Sequence, residues 1–230
     1  MATEITKLWH VDAINLLEGI PYEEKVQFVE LVETKSYKKS QFVFEDGEPS
    51  ADIFFVVSGR VKIGKNATNG KECIKRIVVE GEPFGELNVI DKNHGEVRND
   101  YAQVMDHDTV VCSMTYANFN KAVESHPILK ERLILGVIAN YKRIDARLES
   151  IMFKDARTRL IEFINELSED FGMPVGHEML IKHRLTHQEI ANITAISRQK
   201  ITTLLNELKQ EGLIHLERKS LLVHDMSLLK

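Results

Sequence analysis

Hydrophobic and polar positions along this chain follow three textures in turn. Residues Met1 to about Thr34 read as helical: Pro21 follows an apolar stretch, and Val26, Val29, Leu31 and Val32 then fall on one side of a short helix. From Lys35 to about Met114 short apolar runs take over, at Gln41–Phe44, Ile53–Val57, Val61–Ile63, Cys73–Val79, Tyr101–Met105 and Thr109–Met114. Turn signals separate them at Asp46-Gly47, Ser58-Gly59, Asn69-Gly70, Gly81 and Asn93–Gly95. Regularly spaced short strands of this kind predict a sandwich or barrel. Asn69-Gly70 predicts a hairpin, because both residues tolerate positive φ.

After Tyr116 the pattern turns helical again. From Pro127 to about Phe153 no further proline occurs, and Val137, Tyr141, Ile144, Leu148 and Ile151 follow the 4-3-4-3 rhythm of a coiled-coil seam. Charged Lys142, Arg143, Asp145, Arg147 and Glu149 lie between them. Such a stripe fits either a helix packed on its own barrel or a dimer seam. The seam is favoured because the helix outruns the surface of so small a barrel. Asp155 is placed to cap a following helix, Ala156–Leu167, so Phe153–Asp155 reads as a boundary. Gly172, Pro174 and Gly176 predict a loop, and Met179–Leu185 a short strand. The expected organisation is α+β, with a β-rich domain over 1–126, a long helix over 127–153 and a C-terminal domain over 154–230.

The sharpest local signal is T-H-Q-E-I-A-N-I-T-A-I-S-R-Q-K-I-T-T-L-L-N-E-L, Thr186 to Leu208. Thr186 and Glu189 make a capping box for a first helix, whose small Ala191 lets a second helix approach closely. Thr194–Ile196 forms the turn, and Ser197 caps the second helix, with Ile201, Leu204, Leu205 and Leu208 on its buried face. A helical hairpin facing only water has the same spacing, but the next segment favours a DNA reader. Glu211-Gly212 ends the helix, and two short strands, His215–Glu217 and Leu221–His224, flank Arg218-Lys219-Ser220, a basic wing tip suited to phosphate. The expected DNA-facing set is Thr186, Gln188, Ser197, Arg198, Gln199, Lys200, Thr202 and Thr203, with Arg218 and Lys219 on the wing. Arg suits guanine, Gln suits adenine, and Thr can hydrogen-bond or touch a thymine methyl. Ala195 stands where such turns usually carry Gly, at a modest cost if its φ is positive.

Charge refines this picture. The chain of 230 residues carries a formal net charge of −5, but residues 182–230 hold eight basic side chains against five acidic ones. A mildly basic end on an acidic body is compatible with binding DNA through a local face. Cys73 and Cys112 both sit in apolar, strand-like runs and read as buried, reduced thiols. Two cysteines without C-x-x-C spacing provide neither an iron–sulfur nor a zinc site, so no metal is expected. No run of about 18 apolar residues predicts a membrane span, and Met1 to Leu17, with Glu4, His10 and Asp12, lacks the pattern of a signal peptide. A cytoplasmic protein is expected. No H-E-x-x-H, G-x-S-x-G or Walker loop is present, so no enzymatic activity is expected.

Three motifs together resemble the Crp/Fnr family of transcription regulators, which includes the cyclic-AMP receptor protein. F-E-D-G-E-P-S-A-D-I-F-F-V-V-S-G-R-V-K-I, Phe44 to Ile63, looks like the first half of a cyclic-nucleotide-type β-roll. G-E-P-F-G-E-L, Gly81 to Leu87, resembles the entrance of the family's phosphate-binding cassette, and the helix-turn-helix above is the third. The resemblance implies a homodimer on a two-fold symmetric DNA site, double-stranded DNA and RNA polymerase as partners, and an effector at the barrel and central helix. That pocket would comprise Gly85, Glu86, Leu87, Asn99, Asp100, Tyr141 and Ile144. A cyclic nucleotide or another small effector fits the family, but cyclic AMP fits this chain poorly. Asn99 and Asp100 align with the Arg-Ser pair that grips phosphate and ribose, and Asp100 would repel a phosphate. Arg98 lies one residue off, which in a strand points to the opposite face. The family's adenine-contacting Thr-Ser pair becomes Ile144 and Asp145. The cysteine cluster of the oxygen-sensing branch is absent, and His94 and His107, the conceivable haem ligands, read as surface residues. Of the Arg, Glu and Arg that read bases in the cyclic-AMP branch, matching Arg198, Gln199 and Thr203, only the first is kept, so a different operator is expected.

Overall fold

A computed structural model describes residues 8–86 and 97–229 of the chain. It forms two compact units, Met1–Lys142 and Arg143–Lys230.

The first unit is a roll of two four-stranded antiparallel sheets. β1 (Glu33–Tyr37), β3 (Asp52–Ser58), β6 (Pro83–Phe84) and β8 (Thr109–Thr115) pair in the order β1-β8-β3-β6. β2 (Phe42–Phe44), β4 (Val61–Asn66), β5 (Glu72–Val78) and β7 (Tyr101–Val104) pair in the order β2-β7-β4-β5. The continuous apolar run in β3 has a direct physical reason, since both faces of the strand are covered. Phe54 and Val56 point into the roll with Phe44, Val61, Val78, Phe84, Ala102 and Val111. Ile53, Phe55 and Val57 point the other way, onto a second core with Ile14, Leu17, Phe28, Cys112, Phe119, Leu129 and Leu133. The hairpin expected at Asn69-Gly70 joins β4 to β5, and Gly70 adopts φ 79°.

Helices surround that second core. α1 (Tyr22–Val29) follows a 3-10 turn at Asn15–Leu17, α2 (Tyr116–Ser125) is capped by Thr115, and α3 runs unbroken from Ile128 to Phe153. Arg132 donates to the carbonyls of Leu16 and Glu18, tying the start of α3 to the N-terminal segment. The expectation of two buried thiols holds for Cys112 only. Cys73 is exposed, because strand alternation turns its position outward on β5.

In the second unit, α4 (Ala156–Phe171) starts at the Asp155 cap, whose carboxylate accepts from Thr158 N at 2.8 Å. It buries Leu160, Ile161, Phe163, Ile164 and Leu167. The last three turns of α3 are joined to it by a ladder of polar pairs. Arg143 meets Asp170 and Arg147 meets Glu166, both at 3.1 Å, while Ser150 and Lys154 share Glu162. The segment read as a loop at Gly172–Gly176 is largely strand: β9 (Gly172–Val175) pairs with β10 (Glu178–Ile181). Pro174 is tolerated there because β9 is an edge strand. Gly172 is required, since a Cβ would lie 2.1 Å from the Ser168 carbonyl oxygen.

Candidate functional site

The segment Thr186–Leu208 folds as two helices, α5 (His187–Thr194) and α6 (Arg198–Gln210). Both parts of the α5 capping box form: Glu189 N donates to Thr186 Oγ1 at 3.2 Å, and Thr186 N donates to the Glu189 carboxylate at 2.8 Å. Buried Ala191 leaves room for α6, which buries Ile201, Leu204, Leu205 and Leu208. Ala195 adopts φ 54°, so the turn does use the left-handed conformation at a non-glycine residue. The following strands β11 (Ile214–Glu217) and β12 (Ser220–Val223) form a hairpin whose two-residue tip is Arg218-Lys219, and β12 joins β10 and β9 in one sheet. Arg184 N donates to Lys219 O at 2.8 Å, which fastens the wing tip to the approach to α5.

Side chains at the N-terminal end of α6 divide into two groups. Arg198, Gln199 and Lys200 are exposed, and their side chains have no hydrogen-bond or ion-pair partner among the described residues. The same is true of Arg218 and Lys219. Three further members of the expected set already serve the fold: Ser197 caps α6 by accepting from Lys200 N at 3.2 Å, Thr186 caps α5, and Gln188 donates to Asn192 at 2.8 Å. Thr202 and Thr203 are exposed, with their hydroxyls turned back to the helix. One neighbour was absent from the sequence reading. His187 Nδ1 lies 2.9 Å from Thr202 Oγ1, a contact between positions 15 apart that no local spacing announces.

In the β-roll the structure brings together Gly85, Glu86 and Arg98. Arg98 is 3% exposed and donates to Gly85 O and Asp52 O, each at 2.7 Å. Its guanidinium stacks over Phe44 and Phe54, with ring centroids 4.3 and 5.3 Å away. The strand argument that pointed Arg98 away does not apply, because β7 begins only at Tyr101 and residues 98–100 lack strand alternation. Asn99 is exposed, and Asp100 pairs with Lys75. Glu86 is 4% exposed, and burial raises its carboxyl above the ordinary range against the pull of Arg76, 3.9 Å away. Burial likewise lowers the Arg98 guanidinium, offset by Asp52 and Glu86. Leu87 and His94 lie outside the described residues, His107 is exposed, and Tyr141 and Ile144 are exposed on α3. Among the described residues no three His, Cys, Asp or Glu side chains are grouped to hold a metal ion, and no helix is long and apolar enough to cross a membrane.

Comparison with known proteins agrees with both halves. The family model of the cyclic nucleotide-binding domain matches residues 34–126, and that of the Crp-like helix-turn-helix domain matches residues 158–230. The chain belongs to the Crp/Fnr family of transcription regulators. Within that family it is 26% identical over 210 residues to the CRP-like cAMP-activated global transcriptional regulator of Mycobacterium tuberculosis, covering 91% of this chain and 92% of that one. It is 25% identical to the global nitrogen regulator of Nostoc sp., with 86% of each chain covered. A solved structure of a CooA mutant from Carboxydothermus hydrogenoformans superposes with a TM-score of 0.75 at 25% identity, over 87% of each chain. The Crp/Fnr assignment makes this chain a DNA-binding regulator of transcription and not an enzyme.

Proposed function

We propose that this protein acts in the cytoplasm as a homodimer on a palindromic DNA site, in three parts: a β-roll sensor over 1–126, a dimerisation helix over 127–153 and a DNA-binding domain over 154–230. The observation that carries the DNA reading is the division of α6. Its apolar face is buried, while Arg198, Gln199 and Lys200 project from its N-terminal end without partners among the described residues. Helix-turn-helix proteins place that part of the second helix in the major groove, and unpaired Arg and Gln side chains there can bond guanine and adenine edges. Thr202 and Thr203 lie on the same exposed stretch. Thr186, Gln188 and Ser197 bring helix N-termini toward the phosphate backbone, and Arg218 and Lys219 add wing contacts.

The dimer reading rests on α3. Tyr141, Ile144, Leu148 and Ile151 are 67%, 50%, 55% and 41% exposed in the single chain, in heptad spacing with half-buried Val137. A second copy would cover this stripe and set two α6 helices about 34 Å apart, one turn of the double helix. RNA polymerase is the further partner of a regulator so placed.

The β-roll would receive a small effector at Gly85 and Glu86, and Leu87, Tyr141 and Ile144 are the further residues that the family resemblance assigns to it. Asn99 and Asp100 would flank it. Arg98 lies beside Gly85, but its Nη1 and Nη2 already serve Gly85 O and Asp52 O, so the missing phosphate contact still stands against cyclic AMP. Ile144 and Asp145, in place of the adenine contacts, stand against it as well. Selection of bound sequences from a random DNA pool tests the whole reading. A palindromic consensus supports it, and no enrichment with or without cyclic nucleotides and cell extract refutes it.

A further inference from the structure

The space beneath the wing is larger than close packing requires. A cavity of about 230 Å³ lies inside the C-terminal domain, between α4, α5, α6 and the β11–β12 hairpin. Its floor is apolar and closed to solvent: Leu160, Phe163, Ile164, Leu167, Ile190 and Leu205 line it, and each is only 1–6% exposed. Protein interiors hold few voids larger than a water molecule, and an engineered cavity of about 150 Å³ with Leu, Ile and Phe walls stays dry and admits benzene. One polar side chain on the wall is buried, His183. Its Nδ1 accepts from Leu185 N at 2.9 Å. A ring nitrogen that accepts carries no proton, so His183 is the neutral Nε2–H tautomer and brings no charge to the wall. The charged lining residues, Glu217, Arg218 and Lys219 of the wing, are exposed and stand at the mouth with Thr186 and His187 of the α5 start. The bond from Arg184 N to Lys219 O holds the wing tip there.

We propose that this cavity is a ligand site for a small, uncharged aromatic molecule of one or two rings, and that its occupancy adjusts operator affinity. The volume sets the size, since the space exceeds what one benzene ring fills. The neutral, apolar wall sets the charge, because an ion on that floor would lose its hydration with nothing to offset the loss. A rigid ring has no internal rotation to lose on entering, and Phe163 gives it an aromatic neighbour. The link to DNA follows from the mouth. Thr186, Arg218 and Lys219, proposed to meet the phosphate backbone, border the same space, so a molecule beneath them fixes the spacing of α5 and the wing. The ligand site is independent of any effector in the β-roll, and only its link to DNA rests on the assignment of α6 to the major groove.

The test titrates indole into the full chain and follows the methyl resonances by NMR. Binding should saturate with a dissociation constant on the order of 0.1–1 mM, as suits a small molecule held by apolar contact. The shifts should centre on Leu160, Ile164, Ile190 and Leu205. Indole-3-acetate, the same ring system with a carboxylate, should bind about ten-fold or more weakly. Ile164→Phe pushes a ring into the space from α4 and should abolish indole binding in a protein that circular dichroism shows to be folded. If that variant does not fold, the methyl shifts of the wild type decide the site by themselves. Saturating indole should change affinity for the operator from the random pool by about five-fold or more, and operator DNA should change indole affinity by the same factor. No saturable binding up to the solubility of indole, or shifts centred on the β-roll, would overturn the site. Equal binding of indole-3-acetate would overturn the uncharged class in favour of a ligand held by Arg218 and Lys219. A saturated cavity with unchanged operator affinity overturns the coupling alone. A pool that yields no consensus overturns the groove assignment, and the indole titration still decides the site.

Discussion

Truncating Leu148 to Ala should separate a dimer-forming α3 from a merely exposed one. Leu148 is 55% exposed in the single chain, midway along the apolar stripe. Full burial of a leucine side chain contributes roughly 1.5–3 kcal/mol, so the part still open to water has about 1–1.5 kcal/mol to gain in a seam. Two-fold symmetry uses the residue twice, which gives about 2–3 kcal/mol per dimer and a roughly 30- to 150-fold weaker dissociation constant. Alanine is the best helix former, so α3 itself should survive the change. Sedimentation equilibrium over a wide concentration range would measure the shift, with Glu149→Ala as a control off the stripe. A dimer of unchanged strength in Leu148→Ala, or a wild-type monomer at all concentrations, would refute the seam.

Other perturbations bear on the remaining parts. Arg198→Ala should weaken operator binding by about 1–3 kcal/mol and relax specificity at one base pair, while equal loss on random DNA in a gel-shift titration would make Arg198 a phosphate contact. Ala195→Gly should stabilise the protein by about 0.5–1 kcal/mol in urea unfolding at fixed concentration, because φ 54° strains a residue with a Cβ by more than glycine's added freedom costs. A destabilised variant would contradict that balance. For Glu86 the folded pKa is raised by burial, so the neutral form is favoured in the folded state and stability falls as pH rises through the raised value. Glu86→Gln should therefore be more stable than wild type at pH 7, with the advantage shrinking on acidification toward pH 4. A constant difference across that range would remove the burial argument. Arg98→Met should cost about 3–5 kcal/mol in thermal or denaturant unfolding, since it strands two carbonyls and the Glu86 carboxyl in the roll. A near-neutral result would mean that the guanidinium is not integral to the roll.

Local chemistry alone determined much of this molecule. Periodicity distinguished strand from helix, and the stretch Thr186–Leu208 carried its own caps, turn and buried face, all set by neighbours within four residues. The left-handed turn at Ala195 and the Asn69-Gly70 hairpin were legible for the same reason, as were the strands of the wing to within a residue. What depended on partners distant in sequence was not legible. Arg98 enters the roll because the chain leaves strand geometry before Tyr101 and because Gly85, Asp52, Phe44 and Phe54, 13 to 54 positions away, surround its guanidinium. Residues 172–175 became a strand only because β10 offered a ladder, against the signal of two glycines and a proline. Cys73 and Cys112 look alike in sequence, yet one faces water and the other the core, a choice made by which side of each sheet is covered. His187 on α5 meets the Thr202 hydroxyl on α6 across 15 positions of sequence. Backbone preference acts over a turn or two of chain, whereas burial and hydrogen-bond partnership are properties of the packed whole, and those are what the tertiary structure alone decided.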